Sequence, residues 1–229
     1  TASINNGTNG EIGSIFNGVG AEMGVGTSSD PTFNVPFQNH GVLSLVLASD
    51  TLFITNDLKL ENGALLMGEG TLNLSAGTGT LTVGNGGGIA PGLNDDGTLR
   101  ITGDLVVNPG AQLMFDLESL ALFDNLDVSG TVNFTGGDMH LLWEGSGYTN
   151  ISSGSVNLIT CNSGTNCITG VGSLNLHQPL NTTSSSLSES SVTGQEFLNL
   201  AIGPKGADTV FQWTGLGNDT NWSTGGNWL

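Results

Sequence analysis

The chain has 229 residues, of which 20 are Asp or Glu and only 3 are Lys or Arg, giving a net charge of −17. Such a charge repels nucleic acid phosphates and anionic membrane surfaces, so neither is expected as a partner. Glycine makes up 37 residues and charged residues only 10%, so the surface has to be built from Thr, Ser, Asn and Gly. No run of about 18 apolar residues is present, and membrane insertion through a helix is not expected. In chain order, residues 1–40 are the least regular, with Gly7, Gly10, Gly13, Gly18, Gly20, Gly24 and Gly26 interrupting short apolar runs. They read as irregular N-terminal rungs or a cap. From residue 42 the pattern firms into short runs at 42–47, 51–54, 57–60, 64–67, 71–74 and 80–83. Those at 57–60, 71–74 and 80–83 alternate polar and apolar residues, the period of a half-buried strand.

A glycine run at 84–88 leads to the acidic turn Asn94-Asp95-Asp96-Gly97 and then to residues 98–116. That stretch holds three short runs, at 98–101, 103–107 and 112–116, separated by Gly, Asn and Pro. Further strands are predicted at 125–128, 131–134, 138–141, 155–160, 173–176 and 197–202. Strand starts fall about 6 to 10 residues apart and equivalent positions recur at roughly 20, within the range of solenoid periods. Leu105 with Leu126 and Leu113 with Val132 exemplify the expected stacking. The spacing predicts an all-β parallel β-helix with about three strands per rung, spanning residues 41–208. Gly, Asn and Asp at the corners supply left-handed backbone angles. A β-sandwich is the alternative, with Asn62-Gly63 and Asp96-Gly97 as its hairpin turns.

Several segments resemble the autotransporter passenger-associated β-strand repeat. Gly86-Gly87-Gly88-Ile89-Ala90-Pro91-Gly92, followed by Gly97-Thr98-Leu99 and Gly103-Asp104-Leu105, is similar to that repeat's GGxxAPG…GTLxxxGD pattern. Asp124-Asn125-Leu126-Asp127-Val128-Ser129-Gly130-Thr131-Val132 and Gly154-Ser155-Val156-Asn157-Leu158-Ile159-Thr160 resemble its following segments. The tail, with Trp213, Asn221-Trp222-Ser223 and Asn227-Trp228, resembles the start of a further repeat unit. The resemblance implies a right-handed parallel β-helix on a secreted or surface-displayed bacterial exoprotein, adhesive or structural in role. No membrane barrel is recognisable, so the chain is expected to be one unit of a longer passenger or a free secreted subunit. The cysteine pair departs from the usual pattern of such passengers.

Candidate chemistry is sparse. Cys161 and Cys167 sit close together in a polar loop, which suits a local disulfide and an oxidising compartment. Asp95 and Asp96 are the only Ca²⁺ candidates, and two carboxylates fall short of the ligand set that Ca²⁺ requires. Asp104, Asp124 and Asp127 add ligands only if stacking brings them near; otherwise no cofactor is expected. Arg100 lies between inward-reading Leu99 and Ile101 and reads as a solvated charge, not a base. His40, His140 and His177 are far apart in sequence and no nucleophile elbow accompanies them. A Thr-x-Thr ice-binding row is limited to Thr80 and Thr82. Trp213, Trp222 and Trp228 concentrate large aromatics in residues 209–229, which read as a further unit or an assembly segment.

Together these readings predict a non-enzymatic extracellular structural or adhesive module. It is expected to associate with itself head to tail through open β-helix ends, or to meet surface polysaccharide or host cell-surface glycans. The alternative is a carbohydrate-active or carbohydrate-binding β-helix.

Overall fold

In a computed structural model the described residues are 2–6, 12–26, 31–33, 37–92, 96–143, 153–177 and 185–203. They form three sheets. The first runs β1 (Ala2–Asn6), β2 (Ile12–Asn17), β5 (Phe37–Asn39), β8 (Leu58–Leu60), β11 (Thr80–Val83), β14 (Asp104–Val107), β17 (Val132–Phe134), β20 (Ile168–Thr169). The second runs β3 (Glu22–Val25), β6 (Val42–Leu45), β9 (Leu65–Gly68), β12 (Gly88–Pro91), β15 (Gln112–Leu117), β18 (Asp138–Trp143), β21 (Asn175–His177). The third runs β4 (Thr32–Phe33), β7 (Thr51–Ile54), β10 (Thr71–Leu74), β13 (Thr98–Thr102), β16 (Asn125–Val128), β19 (Gly154–Cys161), β23 (Gln195–Ile202), β22 (Ser185–Val192). From β2 to β21 successive strands visit the three sheets in turn and each pairs in parallel with its counterpart one turn away. The fold is a parallel β-solenoid, and residues 98–116 trace one rung through β13, β14 and β15.

Strand alternation explains the core. In β15 the odd positions Leu113, Phe115 and Leu117 are fully buried, while Gln112, Met114 and Asp116 face outward. Register stacks the inward residues into ladders, such as Leu58–Leu81–Leu105–Val132–Ile168 in the first sheet. The second sheet carries Leu43–Leu66–Ile89–Leu113–Met139–Leu176. No turn could bury these side chains alone; each is covered by the turns above and below.

The corners decide the true period. From the first to the second sheet the corner keeps one length through three successive turns: residues 61–64, 84–87 and 108–111. There Gly63, Gly86 and Gly110 all have positive φ, and Gly63 N and Gly86 N donate to the carbonyls of Gly86 and Gly110. A Cβ on Gly87 would come within 2.1 Å of the Leu60 carbonyl oxygen, so Gly87 is a steric requirement of the corner. Elsewhere that corner shortens to 40–41 and 135–137 or lengthens to 170–174, and the other two corners vary as well. Leu105 consequently stacks on Val132, not Leu126, and Leu113 stacks on Met139, not Val132. Asn62-Gly63 and Asp96-Gly97 are solenoid corners, which removes the β-sandwich alternative.

The ends depart from the parallel pattern. β1 pairs antiparallel with β2, and β23 pairs antiparallel with both β19 and β22. Thus the described strands after β21 join the solenoid in antiparallel sense, and β22 is a strand that the apolar pattern did not mark. Its Ser-rich sequence carries only Leu187 against the core. At the other end, β3 and β5 already belong to the parallel ladders within residues 1–40.

Candidate functional site

The most structured polar group lies on the outer face of the second sheet. Period two turns Gln112 and Met114 of β15, and Asp138 and His140 of β18, away from the core. Register then stacks Gln112–Asp138–Asn175 as one outward ladder and Met114–His140–His177 as its neighbour. The imidazoles of His140 and His177 lie face to face, centroids 4.6 Å apart and planes 11° from parallel. That separation is close to the ordinary spacing of neighbouring strands.

Hydrogen bonds tie the two ladders together. His140 Nε2 donates to Gln112 Oε1 at 2.6 Å, and Gln112 Nε2 donates to Asp138 Oδ2 at 3.2 Å. Asn175 Nδ2 and His177 Nε2 both meet Asp138 Oδ1, at 3.1 and 3.0 Å. The hydrogen bond from His177 holds the Asp138 carboxyl below the usual carboxylate range, helped by those from Asn175 and Gln112. Both Nε2 atoms are therefore committed as donors within the network.

Beside this network is a cleft of about 430 Å³ lined by Leu65, Gly86, Gly87, Gly88, Gln112, Met114, His140 and Leu142, among others. Gly88 keeps its floor open: a Cβ there would sit 3.2 Å from Leu65 Cδ1 and 3.4 Å from Met114 Cε. Leu142 is 47% exposed at its margin. The cleft is apolar with hydrogen-bonding groups at one side, and Asp138 is the charged group of the adjoining network.

Elsewhere the predicted residues separate. Arg100 points outward as expected and pairs with Asp127 across adjacent strands, Nε to Oδ2 3.9 Å. Asp104 accepts from the backbone N and the hydroxyl of Thr131. Asp95 lies outside the described residues. Asp96 lies close enough to Asp124 to disfavour its ionisation, while Asp104 and Asp127 are engaged elsewhere. Asp124 itself is 1% exposed and accepts from Gly97 N at 2.9 Å and Asp116 N at 2.8 Å. Among the described residues no group of three or more His, Cys, Asp or Glu could hold a metal ion.

Cys161 and Cys167 are disulfide-bonded, with Cα atoms 6.3 Å apart, and close the corner between β19 and β20. Thr80 and Thr82 do not continue into a row, since Thr80 stacks on Asp104 and Thr82 lies between Lys59 and Val106; in the third sheet Thr51 and Thr71 are followed by Arg100 and Asp127. His40 sits against Phe16, away from the other two histidines' stacked pair. Trp213, Trp222 and Trp228 lie outside the described residues.

The sequence missed the pairing of His140 with His177 because turns of unequal length set it. Asp138 and His177 are 39 residues apart, nearly twice the expected period. Compared with protein-family models and with curated proteins, the chain has no match.

Proposed function

We propose that the chain is a non-enzymatic extracellular structural module, a stiff solenoid segment that presents its outer faces for adhesion and associates with further copies of itself. The observation that carries this reading is the division of labour along the strands. Inward positions form continuous apolar ladders, and outward positions are a mixture of Thr, Asn and other polar groups with scattered apolar residues such as Phe53, Val106 and Met114. Such a surface is suited to extended contact, whereas the one cation on the third sheet's ladder, Arg100, is neutralised by Asp127. The disulfide supports an oxidising compartment. The resemblance to autotransporter passenger repeats points the same way. Small-angle scattering of the purified chain, with electron microscopy, tests the rod. Elongated particles with a β-solenoid cross-section are expected, and a compact spherical envelope would reject it.

A second reading is favoured by the cleft beside His140. An apolar recess flanked by Gln112 and His140 suits the C–H face and hydroxyls of a neutral sugar, and Asp138 disfavours an acidic one. Titration with neutral and uronic oligosaccharides, read by amide NMR, separates these cases. Binding lost in His140→Ala supports carbohydrate recognition, and unchanged spectra with every neutral sugar oppose it.

A further inference from the structure

The sheet edges are protected unequally. At the start of the solenoid the edge strands are β1, β3 and β4, with 5, 4 and 2 residues. At its end β20 and β21 have 2 and 3 residues. Short edges offer few unpaired backbone groups to another chain. The remaining edge, β22, is 8 residues long and pairs on one side with β23 in unbroken register. Among the described residues no strand pairs with its other side, and the strand itself lacks the usual guards. Residues 185–192 contain no Pro, no Gly, no Lys and no bulge, and Glu189 is their single charge. Ser186, Ser188, Ser190 and Val192 are exposed.

From this edge we infer that two copies of the chain pair through β22, antiparallel about a two-fold axis, into a closed end-to-end dimer with one continuous third sheet. The occupant is a second copy because the strand is self-compatible. A two-fold axis normal to a sheet keeps the faces matched only if the residue opposite position i has the same parity. Centring on Ser188 meets that condition. It sets Ser186 opposite Ser190 and Leu187 opposite Glu189, and keeps the two Glu189 carboxylates from facing each other. Centring on Glu189 would set like charges directly opposite, an arrangement that is destabilising. The pairing is isologous and closes after two copies, unlike a head-to-tail contact, which continues. It rests on the edge strand alone and needs neither the extracellular setting nor the rod's ligand. The net charge of −17 opposes association at long range, so the dimer strengthens as salt screens it.

Sedimentation of the full-length chain across concentration and salt tests this. A monomer–dimer equilibrium that tightens with salt is expected, with Ser188→Glu weakening it by about fivefold, since it sets the two introduced carboxylates directly opposite each other across the axis. Circular dichroism and the melting temperature verify that this variant is folded. Hydrogen exchange on the wild type supplies a readout without mutation: amides within 185–192 should gain protection as concentration rises. Under an oxidised glutathione buffer Ser188→Cys should link two chains, whereas Val192→Cys, which would face residue 184, should not. A chain that stays monomeric, or grows beyond dimers, overturns the inference. So does a dimer that survives Ser188→Glu but is lost when Trp213, Trp222 and Trp228 are all changed to Ala. Failure here leaves the rod intact in scattering, whereas failure of the structural reading does not.

Discussion

Asp124 couples stability to pH in a direction opposite to that of most surface carboxylates. It precedes β16, is 1% exposed, and clips the Gly97 and Asp116 amides together. Burial pushes its pKa from 3.8 up to about 7, against the lowering effect of the two amide hydrogen bonds; the Asp116 and Asp96 carboxylates add to the rise. With the folded pKa above the unfolded one, the folded chain holds the extra proton between pH about 4 and 7. Stability from this group is therefore full below about pH 4 and is lost as pH rises toward 7. The difference between 3.8 and about 7 corresponds to on the order of 4 kcal/mol, or a slope of about 1.4 kcal/mol per pH unit inside that window. The assay is urea unfolding of the wild type and Asp124→Asn at intervals from pH 4.5 to 8. Asn accepts only one of the two amides, so the variant is weaker throughout. Its pH slope should be flatter, and subtraction removes the contribution of all other carboxylates. Equal slopes in the two proteins, or an Asp124 carboxyl carbon that titrates near 4 by NMR, would refute the reasoning.

Other expectations concern the ladders and the polar face. Leu105, fully buried between Leu81 and Val132, should cost about 2–5 kcal/mol when changed to Ala, read by denaturant midpoint; a loss below about 1 kcal/mol would mean that the turns collapse to fill the space. Replacing Cys161 and Cys167 by Ser should remove on the order of 2 kcal/mol, and mass spectrometry without reductant should find the native pair linked. His177→Ala removes the principal cause of Asp138's lowered pKa, so the Asp138 carboxyl should titrate at higher pH than in the wild type; an unchanged titration would place the cause elsewhere.

The strands themselves were legible in the sequence because alternation is a local signal. Leu99, Ile101, Leu105, Leu113 and Phe115 are all inward, as their period-two positions require, and Arg100 is outward. What sequence could not supply was the stacking partner of each strand. Register depends on how many residues each corner holds, and the chain passes from β9 to β10 through residues 69–70 but from β15 to β16 through residues 118–124. A fixed period of about 20 therefore misassigned Leu105 and Leu113 and separated His140 from His177. β22 was missed for a different reason: only Leu187 of its residues packs on the core, so no apolar alternation announces it.

The unequal corners imply where the fold tolerates change. The corner at 118–124 already carries exposed Leu120 and Leu122. Lengthening it by three residues between Leu120 and Ala121 should cost about 0.3 kcal/mol of loop-closure entropy, plus about 1 kcal/mol for each of the bonds between Ser119 and residues 121–122 that the longer turn does not remake. A single Ser inserted between Leu113 and Met114 should be far worse, although it adds less chain. Period two then turns Phe115 and Leu117 outward and brings Asp116 inward. Exposing two fully buried side chains costs about 3–6 kcal/mol, and desolvating a carboxylate in the core adds to that. Total stabilities of folded domains are about 5–15 kcal/mol, so the strand insertion should leave little native protein at ambient temperature. Circular dichroism melts of both variants make the comparison. Similar melting temperatures would show that β15 absorbs the extra residue as a bulge, and that register is set by the corners more than by the inward ladder.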